Sequence, residues 1–277
     1  MLSSVSNFQY NPNFNANLKS PKLKFSNDDF FIKIRGYGRN RSWADEIVKT
    51  ADEAVKNIRK KQDFETVLKK IVNGVARANK FPLDLNKRER TGVLRTQRSG
   101  WDYRDDYDTY ALVTNYEKKG DPKYKSYIDR FDYVMTHPLE RPYDDISLTV
   151  PTCDNDGIKY LCHGKFHVIN EVFARLENIY NFLINNFKGE KVDEDDMSII
   201  NDKVAEMRWI LAHATPWERG SDAISNVLMR SILKAFGIKA YSSARGVSFD
   251  LEAYCTNLKD YKKNFQNYFS LPTTVAK

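Results

Sequence analysis

The chain has 277 residues, with 44 Lys+Arg against 37 Asp+Glu for a net charge of +7. Hydrophobic residues make up 41% and aromatics 13%, enough for a packed core and too many for a disordered chain. No stretch is long and apolar enough for a transmembrane helix, and three cysteines without C-x-x-C spacing (Cys153, Cys162, Cys255) argue against a disulfide framework or a cysteine zinc site. The basic excess suits nucleic acid, an acidic membrane or phosphate ligands, and charge alone does not choose among them.

Residues 1–27 carry three lysines, no acidic residue and many Ser and Asn. They read as a flexible terminus or a targeting or secretion segment, since no long apolar run or small-residue cleavage site marks a signal peptide. Leu2 stands where N-myristoylation requires glycine. Ser42 is expected to cap a first helix with Ala44, Ile47, Ala51, Ala54, Val55 and Ile58 along one face. Asp63 is expected to cap a second, where Phe64, Val67, Leu68, Ile71, Val72 and Val75 repeat at three and four. Residues 80–110 lose periodicity and gain Gly, Arg and Tyr, so a long surface segment is expected there. It places Arg88, Arg90, Arg95, Arg98 and Arg104 beside Trp101 and Tyr103. Arginine with interleaved aromatics holds single-stranded nucleic acid, a nucleotide, or an acidic partner. No nucleic-acid-binding motif accompanies it, so a donor- or partner-binding role is preferred.

Asp106-Tyr107-Asp108 has the D-x-D form of a metal–diphosphate site, but no alternating β–α pattern surrounds it, and a solvated acidic loop is expected. Residues 146–150 and 158–162 suggest one β-hairpin around the turn PTCDNDG. His163 and His167 stand four apart, yet Gly164 replaces the glutamate that zinc-protease chemistry needs. Helices are expected over about 166–187, 194–214, 222–236 and 248–269. The acidic run 190–196 reads as a solvated loop and helix start.

The segment HATPWERGSDAISNVLMRSILKAFGI, residues 213–238, is the richest in signals. Pro216 disfavours a helical conformation at Thr215, Gly220 permits a tight turn, and Ser221 is a natural cap for the next helix. Free N–H groups and the dipole at that helix start make an anion site, with the Arg219 fork just before it. The same residues also suit a plain capped helix whose arginine pairs a carboxylate.

MRWILAHATPWERGSDAISN resembles the AvrB family of effectors, which has W-W-x-x-x-A-M-P-x-x-R-G-S-A-A around this loop. The similarity continues through K-A-F-G-I to G-V-S-F-D-L-E-A-Y, where the family has V-S-D-I-E-A, and covers about 160–268. It reaches back to Y-L-C-H-G and N-E-V-F-A-R-L-E-N-I-Y. What the resemblance implies is a mainly α, Fido (Fic/AvrB-like) fold with a small β-hairpin over residues 28–277, and an appended lobe at about 80–145. Fic enzymes carry H-P-F-x-x-G-N-G-R at the analogous helix start, and its absence here disfavours Fic-type AMPylation. The resemblance further implies a type III secreted effector working in the host cytoplasm. It would transfer a deoxyhexose such as rhamnose from a nucleotide diphosphosugar (UDP- or dTDP-rhamnose) to a Thr or Ser hydroxyl of a host protein acceptor.

Carried over by position, Arg219, Gly220, Ser221 and Thr114 would bind the nucleotide sugar, and Asp250 and His163 would be catalytic. Arg219 and the helix start would stabilise the phosphate leaving group, while Asp250 or His163 takes the acceptor proton. Asp250 is expected just inside a helix capped by Ser248. No tightly bound cofactor, metal or nucleic acid is expected, and the chain is expected to be a monomer. Fic-like nucleotidyl transfer and a non-enzymatic adaptor that binds nucleotide are the alternatives.

Overall fold

The computed structural model describes residues 23–33, 39–79, 90–96, 104–106, 127–187 and 192–275. Among them are eight α-helices and a small antiparallel sheet, a mainly α architecture. Helices α1 (Arg41–Arg59) and α2 (Phe64–Ala78) pack side by side through the apolar faces read from the sequence, and α1 also lies on α6 (Ser221–Ala235). Asp63 caps α2, accepting from the Thr66 N–H at 2.7 Å, as expected. The α1 cap is Asn40 rather than Ser42: its Oδ1 accepts from the Trp43 N–H at 3.0 Å, so the helix begins two residues earlier than a Ser42 cap would place it.

The core is one continuous cluster running from Phe30 to Phe269. At its centre stands α5 (Glu194–Ala214), buried over every residue from Val204 to Ala214 and in contact with α4 (Ile169–Asn186), α6, α7 (Phe249–Tyr254) and α8 (Leu258–Asn264). A helix enclosed on all sides has no face on which to leave polar groups. Glu206, Arg208 and His213 are therefore buried and must find partners within the protein.

The expected helix over 248–269 is divided into α7, α8 and a 3-10 turn at Phe265–Tyr268, with the chain broken between Cys255 and Asn257. Phe249 draws the pieces together, its ring 5.2 Å from Phe269 and 6.0 Å from Phe265.

Strands β1 (Arg104–Asp106), β2 (Val150–Cys153) and β3 (Lys159–Cys162) form an antiparallel sheet with β3 in the middle. The hairpin exists, but its first strand begins at Val150, where the sequence pattern placed its end. The reason lies at Thr149, whose N–H donates to His213 Nδ1 at 3.1 Å and whose hydroxyl donates to the His213 carbonyl at 2.9 Å. Residues just before Val150 are thus bonded to α5 rather than to a strand. Pro151, with no N–H to give, sits in β2 at the sheet edge, where a missing donor is tolerated. Short β4 (Ile238–Lys239) and β5 (Thr274–Val275) pair antiparallel at the other end of the chain.

The described pieces of the expected lobe pack on this body. Helix α3 (Tyr127–Thr136) is tied to α7 by Arg130, whose two terminal nitrogens lie 2.8 Å from the two Glu252 oxygens. Residues 80–89, 97–103 and 107–126 lie outside the described residues, as do residues 1–22 of the leader.

Candidate active site

The site grows from the end of α5. Thr215 has φ 41° and ψ 61°, a left-handed conformation that ends the helix before Pro216, which disfavours the right-handed one. A threonine held there is strained by about 1–3 kcal/mol and needs support from its surroundings. Support comes from Arg95, 5% exposed, whose Nε donates to the Thr215 carbonyl at 2.6 Å and whose Nη2 donates to the carbonyls of Ala214, at 2.7 Å, and Gly164. Its guanidinium satisfies the C-terminal carbonyls that every α-helix leaves unpaired.

The segment 90–96 is therefore docked on this loop through buried Thr91 and Arg95, while Val93, Leu94 and Thr96 stay at the surface as expected. Thr91 bridges to Arg219 and Leu94 to Trp217, while Arg90 Nε lies 2.7 Å from Glu218. Arg95 is buried in holding the loop, away from any ligand, whereas Arg90, paired with Glu218, keeps 41% of its side chain exposed. Arg104 is exposed on β1, its guanidinium carbon 4.9 Å from the centre of the Tyr160 ring. Arg88, Arg98, Trp101, Tyr103 and Asp108 lie outside the described residues.

Beyond Trp217 the chain turns at Gly220, with φ 87°, into α6. Ser221 is the first residue of α6 and not its cap. Its Oγ turns back, accepting from the Trp217 N–H at 3.2 Å and donating to the Trp217 carbonyl at 3.1 Å. Among the described residues no side chain caps the helix, so its positive end opens on the cleft. Arg219 lies exposed at that end, with no hydrogen bond to its guanidinium among the described residues.

The cleft encloses about 130 Å³ and is lined by Arg219, Gly220, Ser221 and Asp222 on one side and by His163, Asp105, Arg208 and Asp250 on the others. Two larger clefts, of about 530 and 720 Å³, lie beside Arg175 and Lys262 and contain none of the residues singled out in the sequence. Convergent chemistry favours the smaller cleft over its larger neighbours. Its volume is below the 300–1,000 Å³ of drug-sized sites and suits an anionic head group whose remainder lies across the rim.

The structure brings Arg219, Gly220, Ser221, His163 and Asp250 together; Thr114 lies outside the described residues. Asp250, half-buried in the first turn of α7, accepts at Oδ1 from its neighbour Ser248 Oγ and from the Leu251 N–H at 2.9 Å. Ser248 occupies the cap position but spends its hydroxyl on Asp250 instead of on the helix backbone. Asp250 Oδ2 has no hydrogen bond among the described residues.

His163 is 4% exposed and engaged at both ring nitrogens. Nε2 lies 2.9 Å from Asp105 Oδ2, and Nδ1 lies 3.2 Å from each of the Thr149 and Thr215 hydroxyls. The ring edges against Tyr254, whose phenol burial and Asp250 hold far above its usual pKa. His163 thus positions Asp105, whose side chain keeps 32% of its surface exposed at the cleft.

Gly164 follows for a steric reason. A Cβ there would lie 2.4 Å from the Ser147 carbonyl and 2.7 Å from that of His213, both backbone atoms that cannot step aside. His213 itself is fully buried, with Nε2 3.0 Å from the Ala253 carbonyl. Burial lowers its pKa to about 3, so the ring is neutral: Nδ1 accepts from Thr149 and Nε2 donates to Ala253.

Three residues of the cleft escaped sequence reasoning. Asp105 lies one position before the D-x-D triplet and was hidden by it. Arg208 and Asp222 lie on α5 and α6 and form a buried ion pair across the cleft floor. Arg208 is 1% exposed, with its guanidinium carbon 5.8 Å from the centre of the Phe249 ring. Burial disfavours its charge, yet Asp222, Tyr261, Asp250 and Tyr254 together keep its pKa above the ordinary value. Burial and the neighbouring Asp250 push Asp222 up to about 6 against the pull of Arg208. Asp222 keeps 31% of its side chain exposed, open to the cleft.

Residues 152–272 match the AvrB_AvrC family of avirulence proteins. The match spans less than half of the chain and agrees with the resemblance to AvrB read over about 160–268. No curated protein matches the chain. The AvrB-like segment contains His163, Arg208, Arg219, Asp222 and Asp250, whereas Asp105 reaches the cleft, and Arg95 the loop beside it, from outside that segment. Among the described residues no helix is long and apolar enough to cross a membrane, and no group of His, Cys, Asp or Glu is arranged to hold a metal ion.

Proposed function

We propose that this AvrB-like effector is a glycosyltransferase that moves a rhamnose-like deoxyhexose from UDP or dTDP to a Thr or Ser hydroxyl of a host protein. The observation that carries the reading is the exposed Arg219 guanidinium at the uncapped start of α6, facing Asp250 across one cleft. In the transfer the bond from the anomeric carbon to the diphosphate oxygen breaks, and the acceptor oxygen forms the new bond to that carbon. The departing diphosphate gains negative charge, which Arg219 and the helix N-terminus stabilise. The acceptor hydroxyl loses its proton to Asp250 through Oδ2, the oxygen left without a hydrogen bond among the described residues. His163 acts through Asp105, holding that carboxylate where it orients the sugar or the acceptor.

Purified protein titrated with UDP and UDP-rhamnose, and then with candidate acceptors read by intact mass, tests the proposal. A gain of one deoxyhexose on the acceptor supports it. Arg219→Ala should weaken UDP binding by about 1.5–3 kcal/mol, the worth of a charged hydrogen bond. Equal UDP affinity in wild type and Arg219→Ala would remove the basis of the reading. A gain of a nucleotide mass instead would establish AMPylation on the same cleft. A second reading, the non-enzymatic adaptor, draws on the small cleft volume and on the full engagement of His163. Host-target binding that survives an Arg219/Asp250 double substitution, with no mass gain in wild type, would favour it.

A further inference from the structure

Arg208 is the unusual member of the cleft. It is a guanidinium in the centre of the protein, 1% exposed, and lines the same cavity as Arg219 and the α6 start. Nη2 donates to Asp222 Oδ1, but Nε and Nη1 are buried without a hydrogen-bond partner among the described residues. A buried cation with two unanswered donors is a costly arrangement, and a carboxylate on one nitrogen answers only part of it. Arginine's fork is built to take two oxygens of one oxyanion side by side.

Asp222 is placed where that oxyanion would otherwise act. It lies in the first turn of α6, beside the open N–H groups, with part of its side chain open to the cleft and Asp250 close enough to raise its pKa. An anion entering between Arg219 and the helix start therefore meets a carboxylate already bound to the inner arginine.

We infer that Arg208 is a second, inner anion-binding residue of this cleft, and that Asp222 is its internal counterion, displaced when a phosphate or diphosphate group enters. The inference deepens the nucleotide-sugar reading and rests on it. It assigns the inner phosphate contact to a residue of α5, with Arg219 as the outer contact at the rim. In the free protein Asp222 neutralises Arg208 and holds the floor of the cleft together. In the occupied protein the phosphate oxygens take the Arg208 fork, and Asp222 turns toward the solvent side of the cleft. Asp222 thereby sets a threshold: ligands with a single weak negative charge do not displace it, and a diphosphate does.

The test uses inorganic pyrophosphate and UDP as probes, measured by calorimetry and by thermal melting on the full chain. Asp222→Asn keeps the side-chain shape and removes the competing charge. It should melt below wild type when free, because Arg208 loses its counterion. It should also bind pyrophosphate and UDP about tenfold or more tightly, since a like charge a few ångströms from the ligand is gone. The ligand-induced rise in melting temperature should then exceed that of wild type. Arg208→Gln in the Asp222→Asn background should abolish the gain; melting curves establish that the double variant is folded, and if it is not, the Asp222→Asn measurement decides alone. A merely structural pair predicts the lower melting temperature with unchanged or weaker pyrophosphate binding, and that result overturns the inference while leaving the diphosphate reading intact. Absence of pyrophosphate and UDP binding in both wild type and Asp222→Asn overturns both.

Discussion

Replacing Arg95 with methionine should destabilise the protein more than removing Arg90 or Arg104, the other described arginines of residues 80–110. Methionine keeps most of the stem and removes the fork, so lost packing is small. What is lost is three hydrogen bonds from one buried cation to the carbonyls of Ala214, Thr215 and Gly164. Each bond to a charged group is worth about 1.5–3 kcal/mol, but the three share one guanidinium and do not add. Two of those carbonyls belong to the end of α5 and to the strained Thr215, and a water entering the space left by the fork recovers part of the loss. A net cost of about 3 kcal/mol follows, within the range for breaking a buried charged network. For a chain of this size that lowers the melting midpoint by roughly 6–12 °C. Arg95→Lys should recover only a minor share, since the three donors of an ammonium sit on one nitrogen and cannot span the three carbonyls that the guanidinium fork reaches. Thermal melting followed by circular dichroism checks both. A methionine variant melting within about 2 °C of wild type would refute the reasoning, because the helix end would then be held by something other than this clamp.

Gly164→Ala should cost on the order of 1–3 kcal/mol or more, seen as a lower urea midpoint with an unchanged slope, because its Cβ would lie 2.4 Å from the Ser147 carbonyl. His213 should make stability depend on pH in a fixed direction. Burial lowers its folded pKa to about 3, below the unfolded value of 6.5, so the unfolded chain binds the extra proton between those limits. The stabilisation is complete above pH 6.5 and is lost as pH falls toward 3, by at most about 1.4 kcal/mol per pH unit from this group. Urea unfolding at pH 7, 6 and 5 checks the slope. His213→Phe should reduce it by about one proton's worth, and an unchanged slope would show that another group is responsible.

The helices were legible because their signals are local. The α5 bounds and the α6 stop come from periodicity, Pro216 and Gly237, all within a few residues of the effect. The site was legible in part for the same reason: Arg219 and Gly220 lie in one short loop, and the family pattern pointed to Asp250 and His163. The errors share one cause, which is competition between a local signal and a distant partner. Ser221 and Ser248 are good caps by type, yet Trp217 and Asp250 take their hydroxyls. Residues before Val150 look like a strand, yet Thr149 gives its N–H to a histidine of α5. Arg95 looks like a surface arginine because nothing near it in sequence shows the helix end it reaches, 120 residues on. Arg208 offered no periodic clue at all, since a helix buried on every side gives no polar face to contrast with.

Satisfaction of polar groups separates the residues that hold the cleft from those that face into it. His213 has both nitrogens bonded to backbone, and Arg95 has three carbonyls. Gly164 is fixed by the two carbonyls it must pass between. His213 and Arg95 direct these bonds at backbone rather than into the cleft, and the three residues have little freedom to change conformation. Around the cleft the balance is reversed: Arg219 has no bond to its guanidinium among the described residues, Asp250 uses one oxygen of two, and Arg208 leaves two nitrogens unanswered. Other unanswered buried atoms, on Asn57, Asn201 and Arg230, are scattered through the core and share no cavity with one another. Unused hydrogen-bonding capacity of both signs, gathered where a rigid and fully bonded floor holds it in place, is what binding an anion and accepting a proton both require. The net +7 of the chain has no part in that selection, because the charges that matter are a few arginines set against aspartates within one small cleft.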